Sequence, residues 1–195
     1  ALKALPSIPA STGTIAISDI NGDGHQDVFV GGSILPGSYP KTSKSLILVN
    51  DGKGSFTNQT DKMARELATL GNITDAVWID INKDQKEDLV VIGEWLPISI
   101  FINNNGQLEN QTTTYLNKEY KGWWNTIEVA DINKDGQLDF IIGNQGTNTT
   151  FQASEKEPAE LIYKDFDKNG SIDPFFTYYK QGKNYPDVMR DELLG

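Results

Sequence analysis

The chain contains no cysteine, so neither a disulfide staple nor a thiolate nucleophile is available to it. Its one histidine, His25, excludes a histidine-rich zinc set and leaves a general-base role without a visible partner. No Walker or dinucleotide-type glycine pattern occurs. No apolar run approaches the roughly 20 residues a bilayer-spanning helix needs. The opening stretch Ala1-Leu2-Lys3-Ala4-Leu5-Pro6 is too short in its apolar part for a signal peptide. The expectation is a leader already removed, or a chain that is a fragment of a larger protein. Basic residues are in deficit, 17 Lys and Arg against 27 Asp and Glu, for a formal charge of −10. Without a Lys/Arg stripe to neutralise phosphates, nucleic acid is not an expected partner.

The acidic residues are not scattered. One pattern recurs four times: Asp19, Asn21, Asp23, His25, Asp27; then Asp80, Asn82, Asp84, Lys86, Asp88; then Asp131, Asn133, Asp135, Gln137, Asp139; then Asp165, Asp167, Asn169, Ser171, Asp173. Short oxygen-bearing side chains fall at positions 1, 3, 5 and 9 of each loop. That spacing suits a hard cation, with position 7 contributing its main-chain carbonyl, so His25, Lys86, Gln137 and Ser171 are free to differ. A glycine at position 6 permits the sharp turn in three of the four loops, and Gln85 stands there in the second. An EF-hand would need a glutamate at position 12 and flanking helices. Position 12 is Val30, Val91, Ile142 and Phe176, and the flanks are short and β-branched like strands. Asp, Asn and Gly also make ordinary turns, but turn chemistry alone does not repeat one register four times. The expectation is up to four Ca²⁺ ions, which would bring the net charge to about −2 and favour an extracellular or periplasmic setting, where calcium is plentiful.

Strand-like runs are expected over 14–18, 27–32, 45–50 and 55–57, and again over 75–79, 88–93, 98–103 and 107–109. A hairpin signal, Asn50-Asp51-Gly52-Lys53-Gly54, precedes the fourth run. Residues 61–70 place Met63, Leu67 and Leu70 on one face of a predicted short helix, and a turn is expected at Pro97. A third unit has strands over 123–130 and 139–143 but no second hairpin; a fourth has strands near 161–163 and 175–179. The loops begin at residues 19, 80, 131 and 165. Strand-built repeats of this period predict an all-β fold: a partial β-propeller of about three to four four-stranded antiparallel blades. It forms one domain over 1–195, with units at 12–60, 72–112, 122–152 and 158–195. So few blades do not close a ring, so open edges and self-association through them are expected.

The loops and the Asn-Asp-Gly-x-Gly-x-Phe hairpin resemble the FG-GAP/VCBS repeats of integrin-alpha-type β-propellers. Three stretches resemble the secreted bacterial VCBS proteins with an ASPIC/UnbV-type region: Gly122-Trp123-Trp124-Asn125, Gly143-Asn144-Gln145-Gly146-Thr147-Asn148, and Tyr185-Pro186 with Arg190-Asp191-Glu192-Leu193-Leu194. The resemblance implies further blades beyond both ends and an exported, calcium-stabilised surface for binding or adhesion, outside the cell, at its surface or in the periplasm. It implies no chemistry. Gln85, where the family prefers glycine, makes the second loop the weakest match, and the third unit is shorter than the pattern.

Other readings are outweighed. With the loop carboxylates committed to a cation, a glycosidase would have to draw on Glu94, Glu109, Glu128 or Asp187, so the chain is not expected to be an enzyme. Trp78 and Trp124 lie in expected strands and suit core packing; Trp95 and Trp123 are the candidates for stacking on a sugar. A carbohydrate-active protein and a structural spacer of a surface protein are the alternatives to a binding module for an extracellular protein or glycan. Tyr178, Tyr179 and Tyr185 are ambiguous, and the sequons at Asn58, Asn72, Asn110 and Asn148 matter only in a eukaryotic secretory route.

Overall fold

A computed structural model describes residues 4–8, 10–146, 149 and 151–188. Asn148 and the 190–194 stretch that help carry the resemblance lie outside the described residues, as does any strand after residue 188. The chain is all-β and forms two compact units, Ala1–Leu35 with Lys41–Asn144, and Pro36–Pro40 with Gln145–Gly195.

In the first unit, β1 (Thr12–Ser18), β2 (Asp27–Gly32), β3 (Leu46–Asn50) and β4 (Phe56–Asn58) form an antiparallel sheet in chain order. A second antiparallel sheet is built on β6 (Asp88–Pro97). One edge of β6 pairs with β5 (Asn72–Ile79) and the other with β7 (Ser99–Asn104), which carries β8 (Gln107–Asn110). Its C-terminal end pairs with β9 (Lys121–Ala130), which carries β10 (Asp139–Asn144). The four-stranded unit expected twice is therefore present twice. The third begins as expected and has two strands among the described residues.

The hydrophobic pattern explains the layering. In β6 the run Leu89-Val90-Val91-Ile92 is buried throughout, and alternation sends its side chains to both faces. Leu89 and Val91 join a core with Phe29, Ile47, Ile73 and Phe101, while Val90 and Ile92 join another with Ile100, Ile102 and Ile127. Trp78 packs against the first core and Trp124 against the second, as their positions in strands suggested. Strand β1 is inverted: Ala16 and Ser18 are buried, while Ile15 and Ile17 are more than half exposed.

Two local expectations are corrected. Residues 61–70 do not form one helix; they form α1 (Thr60–Met63) and a 3-10 turn (Leu67–Thr69). Ala64, at φ −157° and ψ 53°, leaves helical space between them. The break lets Met63, Ala64, Leu67 and Ala68 all enter the interior, more than one stripe of a short helix can offer. Nor does the chain turn at Pro97: β6 runs to it, past a bulge at Trp95 (φ 62°) between the pairs Glu94–Trp123 and Leu96–Gly122. The proline sits at the strand's last residue, where its missing N–H is tolerated.

The trailing Asn-Gln-Thr triplets, alike in both complete sheets, are clasps. The Thr60 hydroxyl donates to Asn58 Oδ1 (2.6 Å) and accepts from the Ile47 amide (2.8 Å). Thr112, which opens α2 (Thr112–Tyr115), does the same with Asn110 (2.8 Å) and Ile100 (2.9 Å).

The second unit holds β11 (Glu160–Lys164), β12 (Asp173–Lys180) and β13 (Lys183–Pro186) in one antiparallel sheet. Strand β13 was not expected. Its signal is Gln181-Gly182, a two-residue turn with both φ positive between the paired Lys180 and Lys183. Phe151 stands edge-on to Phe176 and Tyr178, at 4.4 and 5.2 Å.

Candidate metal centres

Each acidic loop joins the first two strands of its unit: β1 to β2, β5 to β6, β9 to β10 and β11 to β12. The four share one hydrogen-bond scheme. The position-1 carboxylate accepts the amides of positions 5 and 6: Asp19 from Asp23 and Gly24 (3.0 and 2.8 Å), Asp80 from Asp84 and Gln85 (3.0 and 2.8 Å), Asp131 from Asp135 and Gly136 (3.1 and 2.9 Å), Asp165 from Asn169 and Gly170 (3.0 Å each). The position-3 side chain, Asn21, Asn82, Asn133 or Asp167, accepts the amide of position 5. The position-5 side chain accepts that of position 7, from His25, Lys86, Gln137 and Ser171. The position-9 carboxylate reaches back to the amide of position 2, from Ile20, Ile81, Ile132 and Phe166. Every bond runs within nine residues, so the loop sequence is enough to set it.

The scheme requires positive φ at positions 4 and 6. Gln85 adopts φ 70° and keeps its amide on Asp80, so the second loop has the geometry of the others, at a cost of about 1 kcal/mol for a non-glycine residue in this region. Position 4 is a site the sequence did not single out: Lys83, Lys134 and Lys168 all lie near φ 60° there.

The loops draw like charges together. Oxygens of Asp165, Asp167 and Asp173, at positions 1, 3 and 9, lie within 4.8 Å of one another. In the other loops position 3 is asparagine, which offers a neutral oxygen in the same scheme. Asp27 and Asp88 are fully buried, and desolvation raises their pKa despite the backbone amides that favour the anion. Asp23 is held low by the Asn21 amide and the His25 N–H. Asp84 is also lowered: burial opposes ionisation there, but the Lys86 amide, the Asn82 side chain and the Lys86 charge outweigh it. Clustered hard oxygens, some of them carboxylates buried at a cost, suit a divalent oxygen-seeking cation.

His25 does not act alone in its loop; its imidazole lies over Gly52 in the β3–β4 hairpin, where a Cβ would clash. Lys86 Nζ stands 3.6 Å from the Asp84 carboxylate. The candidate stacking residues Trp95 and Trp123 are half-buried and face each other across the β6–β9 pair, centroids 5.3 Å apart at 41°. Of the candidate acids, Glu94 holds the Asn72 amide (2.9 Å) and Glu109 that of Asn104 (3.4 Å). Glu128 is exposed on β9, and Asp187 follows β13 in the second unit.

Two residues that sequence reasoning missed tie the repeats together. The buried Asn103 sends its amide group to Ile20 O in the first loop (2.9 Å) and Glu87 O in the second (3.2 Å), while its own N–H reaches Asp88 (2.8 Å). Asn50 plays the matching part in the first sheet, with Asp27 (2.8 Å) and Gln26 O (3.1 Å). The recurrence of asparagine straight after an apolar third strand was the available signal. Asp75 joins three first strands: it accepts from Thr14 (3.3 Å), Thr126 (3.1 Å) and the Ile127 amide (3.0 Å). Thr14, Asp75 and Thr126 each stand five residues before a loop.

Among the described residues, no helix is long and apolar enough to cross a membrane. A family model described as an FG-GAP-like repeat matches the chain twice, over residues 19–91 and 80–142. Each match starts at position 1 of one loop and ends at position 12 of the next. No curated protein matches the chain.

Proposed function

Because the chain belongs to the FG-GAP-like repeat family, we propose that it is a calcium-stabilised binding module, part of a β-propeller exposed outside the cell or in the periplasm. Its stretches around Trp123-Trp124 and Tyr185-Pro186 fit the ASPIC/UnbV-type branch. The observation that carries the reading is the fourfold loop, with one hydrogen-bond scheme and three carboxylates converging in its last copy. Side chains at positions 1, 3, 5 and 9 and the carbonyls of His25, Lys86, Gln137 and Ser171 would hold the ions. A bound cation supplies the positive charge that these clustered carboxylates lack. Binding to the folded state alone then becomes folding free energy, about 2.7 kcal/mol per site at a hundredfold excess of ligand over Kd.

The test is thermal melting with EDTA and after calcium is restored, beside calorimetric titration of calcium. The expected result is a Tm more than about ten degrees lower in EDTA, recovered by calcium but not by an equal concentration of sodium. An unchanged melt and a flat titration would overturn the reading. The adhesive role calls for a protein or glycan ligand. The paired, half-buried Trp95 and Trp123 make glycan the second reading. A glycan array checked with a Trp123→Ala variant separates it from a protein ligand.

A further inference from the structure

The two complete sheets and the third repeat can be laid on one another through their position-9 aspartates, Asp27, Asp88 and Asp139. The residues that follow are then equivalent: Val28-Phe29-Val30, Leu89-Val90-Val91 and Phe140-Ile141-Ile142. In the first two sheets this segment pairs with a third strand, Val28–Leu48, Phe29–Ile47 and Val30–Leu46 in one, Leu89–Phe101, Val90–Ile100 and Val91–Ser99 in the other. Both third strands read Ile-apolar-aliphatic-Asn: Ile47-Leu48-Val49-Asn50 and Ile100-Phe101-Ile102-Asn103. Each asparagine gives its N–H to the position-9 carboxylate, at 2.8 Å in both.

Strand β10 shows the first half of this arrangement and, among the described residues, not the second. It pairs with β9 on one edge, and among the described residues no strand pairs with the other. Alternate residues of an antiparallel strand direct their N–H and C=O groups to opposite neighbours, so half of this backbone faces away from β9. Asp139 Oδ2 holds the Ile132 amide as its equivalents do, but among the described residues no third-strand amide reaches its Oδ1. Ile141 is 49% exposed, where Phe29 and Val90 are 0% and 1%. An exposed apolar edge strand of this kind is a template for β-addition.

We infer that the free edge of β10 binds an extended strand of a separate polypeptide with the sequence Ile-apolar-aliphatic-Asn. It would run antiparallel to β10, with its isoleucine opposite Ile141 and its asparagine amide on Asp139. The two sister sheets specify that occupant residue by residue. Within residues 1–195 the pattern occurs at 47–50 and 100–103, and both stretches are engaged in β3 and β7. The net charge of −10 also opposes pairing of two copies. The inference adds a partner's chemistry to the binding role proposed above. It rests on strand register and not on what the loops hold, so it fails or survives apart from the calcium reading.

The experiment titrates the whole chain into a fluorescein-labelled peptide, Ser-Leu-Ile-Leu-Val-Asn-Asp-Gly with two terminal lysines for solubility, and follows anisotropy. Support is saturable one-to-one binding that weakens at least about tenfold for Ile141→Lys and severalfold when the peptide's asparagine becomes alanine. Hydrogen exchange should slow at the amides of Phe140 and Ile142 when the peptide is present. Binding of a scrambled peptide with equal affinity overturns the inference. So does undiminished binding by Ile141→Lys that melts like the parent, or no saturation below millimolar peptide. If Ile141→Lys does not fold, the peptide's alanine variant and the exchange pattern decide alone. Sedimentation showing a dimer that Ile141→Lys dissolves would assign the edge to a second copy and also overturn it.

Discussion

The first two loops and the last two share one spacing of oxygen-bearing side chains and one hydrogen-bond scheme but have different surroundings. Asp27 and Asp88 are fully buried and accept a second amide from the next strand, that of Asn50 or Asn103. Asp139 and Asp173 are only half-buried and, among the described residues, show the within-loop bond alone. A loop's shape is thus a local matter, whereas the role of its final carboxylate is decided by strands far along the chain. In the first pair position 9 joins loop, second strand and third strand; in the second pair it closes the loop.

The comparison can be broken most directly at that position. In EDTA, Asp88→Ala is expected to destabilise by about 3 kcal/mol, since the half-buried Ile81 amide and the buried Asn103 amide lose their acceptor, while Asp139→Ala costs less than about 1 kcal/mol. Urea melts measure both, and equal losses would end the distinction. Next in size is Asn103→Ala, expected to cost about 2 kcal/mol by freeing Ile20 O and Glu87 O, with Asn50→Ala smaller because Asn50 is only half-buried. A reversed order would show that the link between sheets contributes little. Thr126→Val and Thr14→Val, which each take one hydroxyl from Asp75, should cost about 1 kcal/mol apiece, read as a Tm lower by about 2–4 degrees. The smallest effect sharpens the picture from the other side: Gln85→Gly should raise the Tm by a few degrees as about 1 kcal/mol of left-handed backbone cost is relieved. No gain there would mean the second loop is already relaxed.

What could be seen in the sequence follows from the reach of each interaction. The four loops were legible because positions 1 to 9 contain both partners of every bond that shapes them. The two complete sheets were legible because apolar runs and the Asn50-Asp51-Gly52 hairpin are short-range signals. Asn103 and Asp75 were not, because their partners lie 83 and 61 residues away at the farthest, and a lone asparagine or aspartate looks like a turn or surface residue until the sheets are adjacent. The break at Ala64 was hidden for a related reason: the period of Met63, Leu67 and Leu70 fits a helix, and the core then takes in more apolar side chains than one helical stripe carries. The bulge at Trp95 is masked by the proline-turn signal, because nothing local announces that β6 runs on past β7 to pair with β9 while Glu94 still pairs with β5.

The family repeat runs from loop to loop, so its borders fall inside sheets and not between them. Each match carries the second, third and fourth strands of one unit together with the opening strand of the next and the start of its second. A stretch such as 19–91, expressed by itself, would be a set of strands cut across two layers, without the β1 that completes the earlier one. Trimming or grafting this protein therefore works best with junctions in the 59–71 connector, where whole layers are exchanged and no ladder is severed. By the same geometry, a tandem duplication at the repeat border adds one whole four-stranded unit and severs none.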